Sequence, residues 1–146
     1  MLKPMMFAIL LIVASFSIAD ARNTRLLLKI QDVLSRPDFQ EKVGSSVAFY
    51  FSNQPQPQAA QTMGEFVTNK KTNSFGKSDE AACQWAMLSA LIQFRDRATS
   101  EGGNAVVNLQ SYYDKNEIPD KGEYECHAGA VVAGVALKGT VAKIAK

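Results

Sequence analysis

Residues 78–103, SDEAACQWAMLSALIQFRDRATSEGG, decide the fold. Ser78 is a good N-cap, Asp79 and Glu80 put acids in the first turn where the helix dipole favours them, and Gly102-Gly103 ends the run. This predicts a helix over 79–101. At roughly 100° per residue, Cys83, Met87, Ala90, Leu91, Phe94 and Ala98 share one face, while Ala81, Trp85, Leu88 and Ile92 share nearly the opposite one. A helix apolar on two sides has to be covered on both. One face is expected on a sheet. The Trp85 face needs a second cover, and the Leu-rich segment near the N-terminus is the expected one, ahead of a partner protein or a second copy of the chain.

The flanks read as strands and loops. Ala105–Tyr113 (AVVNLQSYY) predicts a strand, and Asp114–Gly122 a polar hairpin loop containing Pro119. Glu123–Lys138 is the longest strand candidate, with Cys126, Ala128, Ala130, Val132, Gly134 and Ala136 on one face, small enough for a helix to approach closely. The tail from Gly139, carrying Lys143 and Lys146, is expected to be mobile. Towards the N-terminus, Gly64–Thr68 predicts a strand, Asn69–Lys77 a polar turn, 52–61 (SNQPQPQAAQ) an exposed loop, and Ser46–Phe51 (SVAFYF) another strand. Residues 24–43 read as two short helical pieces broken at Pro37. The sum is an α+β fold in which a small three- to four-stranded sheet packs against one long helix, with short N-terminal helices.

Composition bounds the function. The chain has 146 residues, 47% hydrophobic and 21% charged, which places it among globular proteins rather than disordered ones. Sixteen Lys and Arg against fourteen Asp and Glu give a net charge of +2, too small for a dedicated nucleic-acid binder, so no nucleic-acid partner is expected. Lys3, the apolar run from Met5 to Ile18 and Ala19-Asp20-Ala21 form the pattern of a cleaved secretory signal over 1–21. The run is short of the roughly 20 residues that cross a bilayer, and no cysteine follows the cut for lipid attachment. The expectation is a single domain over 22–146, periplasmic or secreted, without stable membrane insertion. An oxidising compartment favours pairing Cys83 with Cys126, with two buried free thiols as the alternative. A metal site is weaker still, because adjacent Cys126 and His127 on a strand point to opposite faces.

Catalytic templates fail one after another. Gly76-Lys77-Ser78 before a long helix has the ending of a phosphate-binding loop, but the glycine required five residues earlier is Lys71. Ser78 then reads as a helix cap and Lys77 as a solvated charge. His127 is the only histidine and has no nucleophile motif around it. Glu123 and Glu125 share a strand face and read as a solvated edge. Tyr112, Tyr113 and Tyr124 read as rim packing or as a ligand surface. No catalytic residue and no cofactor is expected; the candidate binding residues are Trp85, Lys70, Lys71, Lys77, Tyr112, Tyr113 and His127.

The order of features from Lys77 to Leu137, a cysteine opening a long helix (EAACQWAMLSALIQFRDRA), then GGNAVVNL, then a cysteine beginning YECHAGAVVAGVAL, resembles the Rcs outer-membrane stress-sensor lipoprotein and the small YbjQ-like α/β domains. The chain is also similar, through its TNKKTN, ACQWA and GGNAVVN segments, to short exported proteobacterial proteins of unknown function, many described as excinuclease ATPase subunits. A complete phosphate loop, a zinc-binding cysteine set and the length for that activity are all missing here. The sensor resemblance implies a Cys83–Cys126 disulfide tying helix to strand. The sensor's extra loop cysteines and acylated N-terminal cysteine have no counterpart in this chain. The expected function is a non-enzymatic exported binding or interaction protein in envelope homeostasis, with an envelope partner on the Trp85 face. The alternative is a small-ligand, anion or metal-binding protein.

Overall fold

The helix forms where the sequence places it. In the computed structural model, which describes residues 21–118 and 121–145, α3 runs Asp79–Ser100, and the Ser78 side chain accepts a hydrogen bond from the Ala81 amide at 3.1 Å. The expected export signal lies outside the described residues apart from Ala21. Cys83, Met87, Ala90, Leu91, Phe94 and Ala98 are all buried against a sheet. The Trp85 face is covered by two short helices, α1 (Ile30–Leu34) and α2 (Phe39–Lys42), whose Val33 and Phe39 join the same core. Arg36 and Lys42 sit over the Trp85 ring at 4.9 and 5.3 Å, and Arg95 of α3 donates to the carbonyls of Lys42 and Val43.

The sheet is larger than three or four strands. Six strands pair in it: β1 (Thr24–Lys29), β2 (Ala48–Phe51), β3 (Ala59–Asn73), β4 (Ala105–Ser111), β5 (Glu123–Ala128) and β6 (Val132–Ile144). The sheet curls into a half-barrel around its long central strand. Along one edge β6 pairs antiparallel with β3 from Val132 to Ile144. Along its other edge it meets β5 at Ala133 and Gly134, then β4 from Leu137 to Ala142. Two strands sharing one edge cannot stay coplanar over that length, and the right-handed twist of the ladder takes them apart. β1 extends the sheet antiparallel to β5, and β2 adds to β4 in parallel.

Local departures from the sequence reading account for the larger sheet, among them β3 starting at Ala59 inside the stretch expected as a loop. Thr24–Lys29 is a strand, not part of a helix: Leu26 and Leu28 turn towards the core while Arg25 and Leu27 lie exposed on the other side. Three consecutive leucines mask that alternation. The single strand expected over Glu123–Lys138 is instead a hairpin, turned where the Gly129 amide donates to the Val132 carbonyl at 2.8 Å. The turn shifts the parity of the inward face, so Tyr124, Cys126 and Ala128 are followed in the core by Ala133, Val135 and Leu137. The polar stretch Asn69–Asn73 is strand rather than turn, because its ladder with β6 supplies backbone partners that its side chains do not advertise.

The tail from Gly139 is likewise the end of β6, with Val141 and Ala142 fully buried. A Cβ at Gly139 would lie 2.8 Å from Val106 Cγ1 and 3.0 Å from Leu109 Cδ1, with Phe94 just behind at 3.6 Å. Gly139→Val is therefore expected to destabilise the fold by about 2–3 kcal/mol through overpacking. Urea unfolding checks it, and an unchanged midpoint would place Gly139 outside the core.

The disulfide joins Cys83 of α3 to Cys126 of β5 with Cα atoms 5.9 Å apart, both side chains fully buried. Arg22 makes a two-pronged ion pair with Asp79 at 2.6 and 2.9 Å, tying the start of the described chain to the first turn of α3. Its guanidinium hydrogen bonds hold the Asp79 carboxyl below the usual carboxylate range. No helix among the described residues is long and apolar enough to cross a membrane.

Candidate functional site

The sheet has a second face, turned away from α3, and the chemistry gathers there. Alternation on β5 sends Tyr124 and Cys126 to the helix and leaves Glu125 and His127 on the opposite side. Pairing with β1 sets Arg25 across from His127 and Leu27 across from Glu125, and pairing with β6 and β3 adds Gly134 and Lys71. Beyond the end of β4, a single 3-10 turn (Tyr113–Lys115) brings Tyr113 over this face. Its ring stacks on the His127 imidazole, with centroids 3.8 Å apart and planes 11° from parallel.

His127 is held from both sides. Nε2 lies 2.8 Å from Glu125 Oε1 and Nδ1 lies 3.1 Å from Asn23 Oδ1. Both contacts are to oxygens, so a doubly protonated ring donates at both, whereas a neutral ring donates at one and accepts at the other only if the Asn23 amide turns its nitrogen towards it. Glu125 Oε1 also accepts from Arg25 Nε at 2.9 Å. The Glu125 side chain is only 7% exposed, and its other oxygen, Oε2, has no hydrogen-bond partner among the described residues. Its backbone N–H donates to Ser111 Oγ at 2.9 Å. Burial, and after it the charges of Asp114 and Glu125, raise the Tyr113 hydroxyl above the ordinary phenol value.

Two clefts open on this face, on either side of the His127–Glu125 contact. The larger, about 350 Å³, is lined by Arg22, Asn23, Lys71, Tyr113, His127 and the Gly129–Val132 turn, with Gly134 among its lining residues. Gly134 lacks a side chain between Lys71 and Tyr113, and an added Cβ would stand 3.5 Å from one and 3.7 Å from the other. The Lys71 ammonium makes no ion pair or hydrogen bond among the described residues. The smaller cleft, about 250 Å³, is lined by Leu27, Ile118, Lys121, Glu123 and Glu125.

Three of the residues singled out from sequence therefore meet: Lys71, Tyr113 and His127. The others do not. Lys70, one position from Lys71 on a strand, falls on the helix side beside Ser89, Ile92 and Asp96. Lys77 folds back so that its ammonium donates to the Asn73 carbonyl at 3.1 Å. Tyr112 lies under the Lys138 ammonium, which also pairs with Glu117. Trp85 belongs to the opposite layer, under Arg36 and Lys42. Glu125 is no solvated edge, although Glu123 beside it is exposed.

Sequence reasoning missed Arg22, Asn23, Arg25 and Glu125 as parts of this site. The i, i+2 spacing of Glu125 and His127 was the available signal. Arg22, Asn23 and Arg25 become visible only once 24–29 is a strand beside β5. Among the described residues, no group of three or more His, Cys, Asp and Glu side chains is disposed to hold a metal ion. No protein-family model matches the chain, and no curated protein matches it either.

Proposed function

We propose that this chain is an exported, non-catalytic binding protein of the cell envelope whose ligand is a small anion seated in the cleft beside His127. The carrying observation is Lys71, a cation without an ionic partner among the described residues, standing with His127 and Arg22 around that cleft. Binding sites commonly place a few convergent polar groups in a preformed hollow, and here the convergent groups are mainly basic. Arg22 is already neutralised by Asp79, so Lys71 supplies the charge that a ligand answers. Export is supported by the signal pattern over 1–21, and the Cys83–Cys126 bond suits an oxidising compartment.

The test is thermal unfolding across inorganic phosphate, sulfate, acetate and citrate. A ligand present at one hundred times its Kd stabilises by about 2.7 kcal/mol, an easily read rise in Tm. Lys71→Ala, an exposed substitution expected to leave stability within about 0.5 kcal/mol, should weaken that binding at least tenfold. A flat Tm across the panel overturns the anion reading. Intact mass of protein recovered from the periplasm, starting at Arg22, tests the compartment; a full-length mass overturns it.

A further inference from the structure

The larger cleft has an apolar rim left open to water. Val131 and Val132 line the cleft and are 60% and 46% exposed. Phe75, at 75%, is the most exposed large hydrophobic side chain among the described residues. Buried Ser74 clamps the two loops together: its amide donates to the Val131 carbonyl at 2.7 Å and its hydroxyl to the Gly129 carbonyl at 2.8 Å. Phe75, the next residue, is held in turn by its own amide, which donates to Asn73 Oδ1 at 2.8 Å. Exposed apolar side chains gathered on two clamped loops mark a contact surface.

Size and charge decide what the surface meets. A stable protein partner or a second copy needs about 800 Å² on each side, far more than three side chains supply. A lipid leaflet needs no matching surface, and adhesion to it grows with the apolar area inserted and with attraction to anionic headgroups. Lys71 and Lys77 have no acid paired with them among the described residues. Between 71 and 80 the acids are Asp79, already taken by Arg22, and Glu80. A basic hollow walled by exposed apolar residues matches the order of a phospholipid, phosphate outside and chains within.

Resting on the anion reading above, we infer that the anion is the headgroup phosphate of a membrane phospholipid, held by Lys71 while Phe75, Val131 and Val132 enter the leaflet.

The test is co-sedimentation of the protein, as recovered from the periplasm, with vesicles of phosphatidylcholine alone or of equal parts phosphatidylcholine and phosphatidylglycerol. Binding to the mixed vesicles should be at least tenfold tighter. Phe75→Ser, exposed and outside the cleft, should weaken vesicle binding at least tenfold and leave the rise in Tm with inorganic phosphate unchanged. Lys71→Ala should weaken both. Because residues 5–18 are themselves apolar, the two variants decide the matter rather than bare sedimentation. Equal binding to the two vesicles, or vesicle binding that survives either substitution, overturns the inference. A phosphate response without vesicle binding removes this inference alone and leaves the anion reading standing, whereas a flat response to phosphate removes both.

Discussion

Replacing both Cys83 and Cys126 with alanine should lower the unfolding free energy by about 4 kcal/mol. The figure comes from the unfolded state. The bond closes a loop of 43 residues, and releasing that constraint restores conformational freedom to the denatured chain. Both sulfurs are fully buried between α3 and β5, so alanine at each site introduces no polar group into the core. A domain of this size has a total stability of about 5–15 kcal/mol, and Tm should fall by roughly 10–20 °C. Thermal unfolding by circular dichroism reads it, with the oxidised wild type as reference. A fall below about 3 °C would mean that helix and strand hold together without the link. Reduction of the wild type should reproduce most of the loss.

Phe94→Ala should cost about 3–5 kcal/mol. Phe94 is 1% exposed, points from α3 into the curled sheet, and packs where β6 has no side chain at Gly139. Removing the ring leaves a cavity that neither β6 nor the disulfide-anchored helix can readily collapse into, so both the transfer and the cavity contributions apply. Urea denaturation should show a lower midpoint with an unchanged slope. A cost under about 1 kcal/mol would mean that the helix shifts to refill the space. The comparison with Gly139→Val is informative, since one empties and the other overfills the same contact.

The long helix was legible because its signals are local. Ser78, the acidic first turn, the terminal glycines and a 3.6-residue apolar period all lie within one segment, and the Ser78 cap and both buried faces follow from them. The strands were harder. Leu26 to Leu28 have no visible alternation, the β5–β6 turn at Gly129 sits inside an unbroken small-residue run, and Asn69–Asn73 is polar on both faces. Each becomes a strand because a partner strand supplies its hydrogen bonds, and that partner lies far away in sequence. The candidate site shows the same division. Lys71, Tyr113 and His127 stood out by residue type, but Lys70 and Lys77 stood out equally and lie elsewhere.

By itself the sequence determined the α+β class, the position and cap of the central helix, and the face from Cys83 to Ala98 that it turns to the sheet. It also determined that Cys126 and His127 face opposite ways, because strand alternation is a property of the backbone. The tertiary structure alone decided the number of strands, the curl of the sheet around β6, and the meeting of Asn23, Arg25, Glu125 and His127 on one face. Helical hydrogen bonds close within four residues, so a helix is written in its own segment. Sheet pairing is a choice among distant partners, settled only when β1 docks beside β5 and buries Glu125 between them.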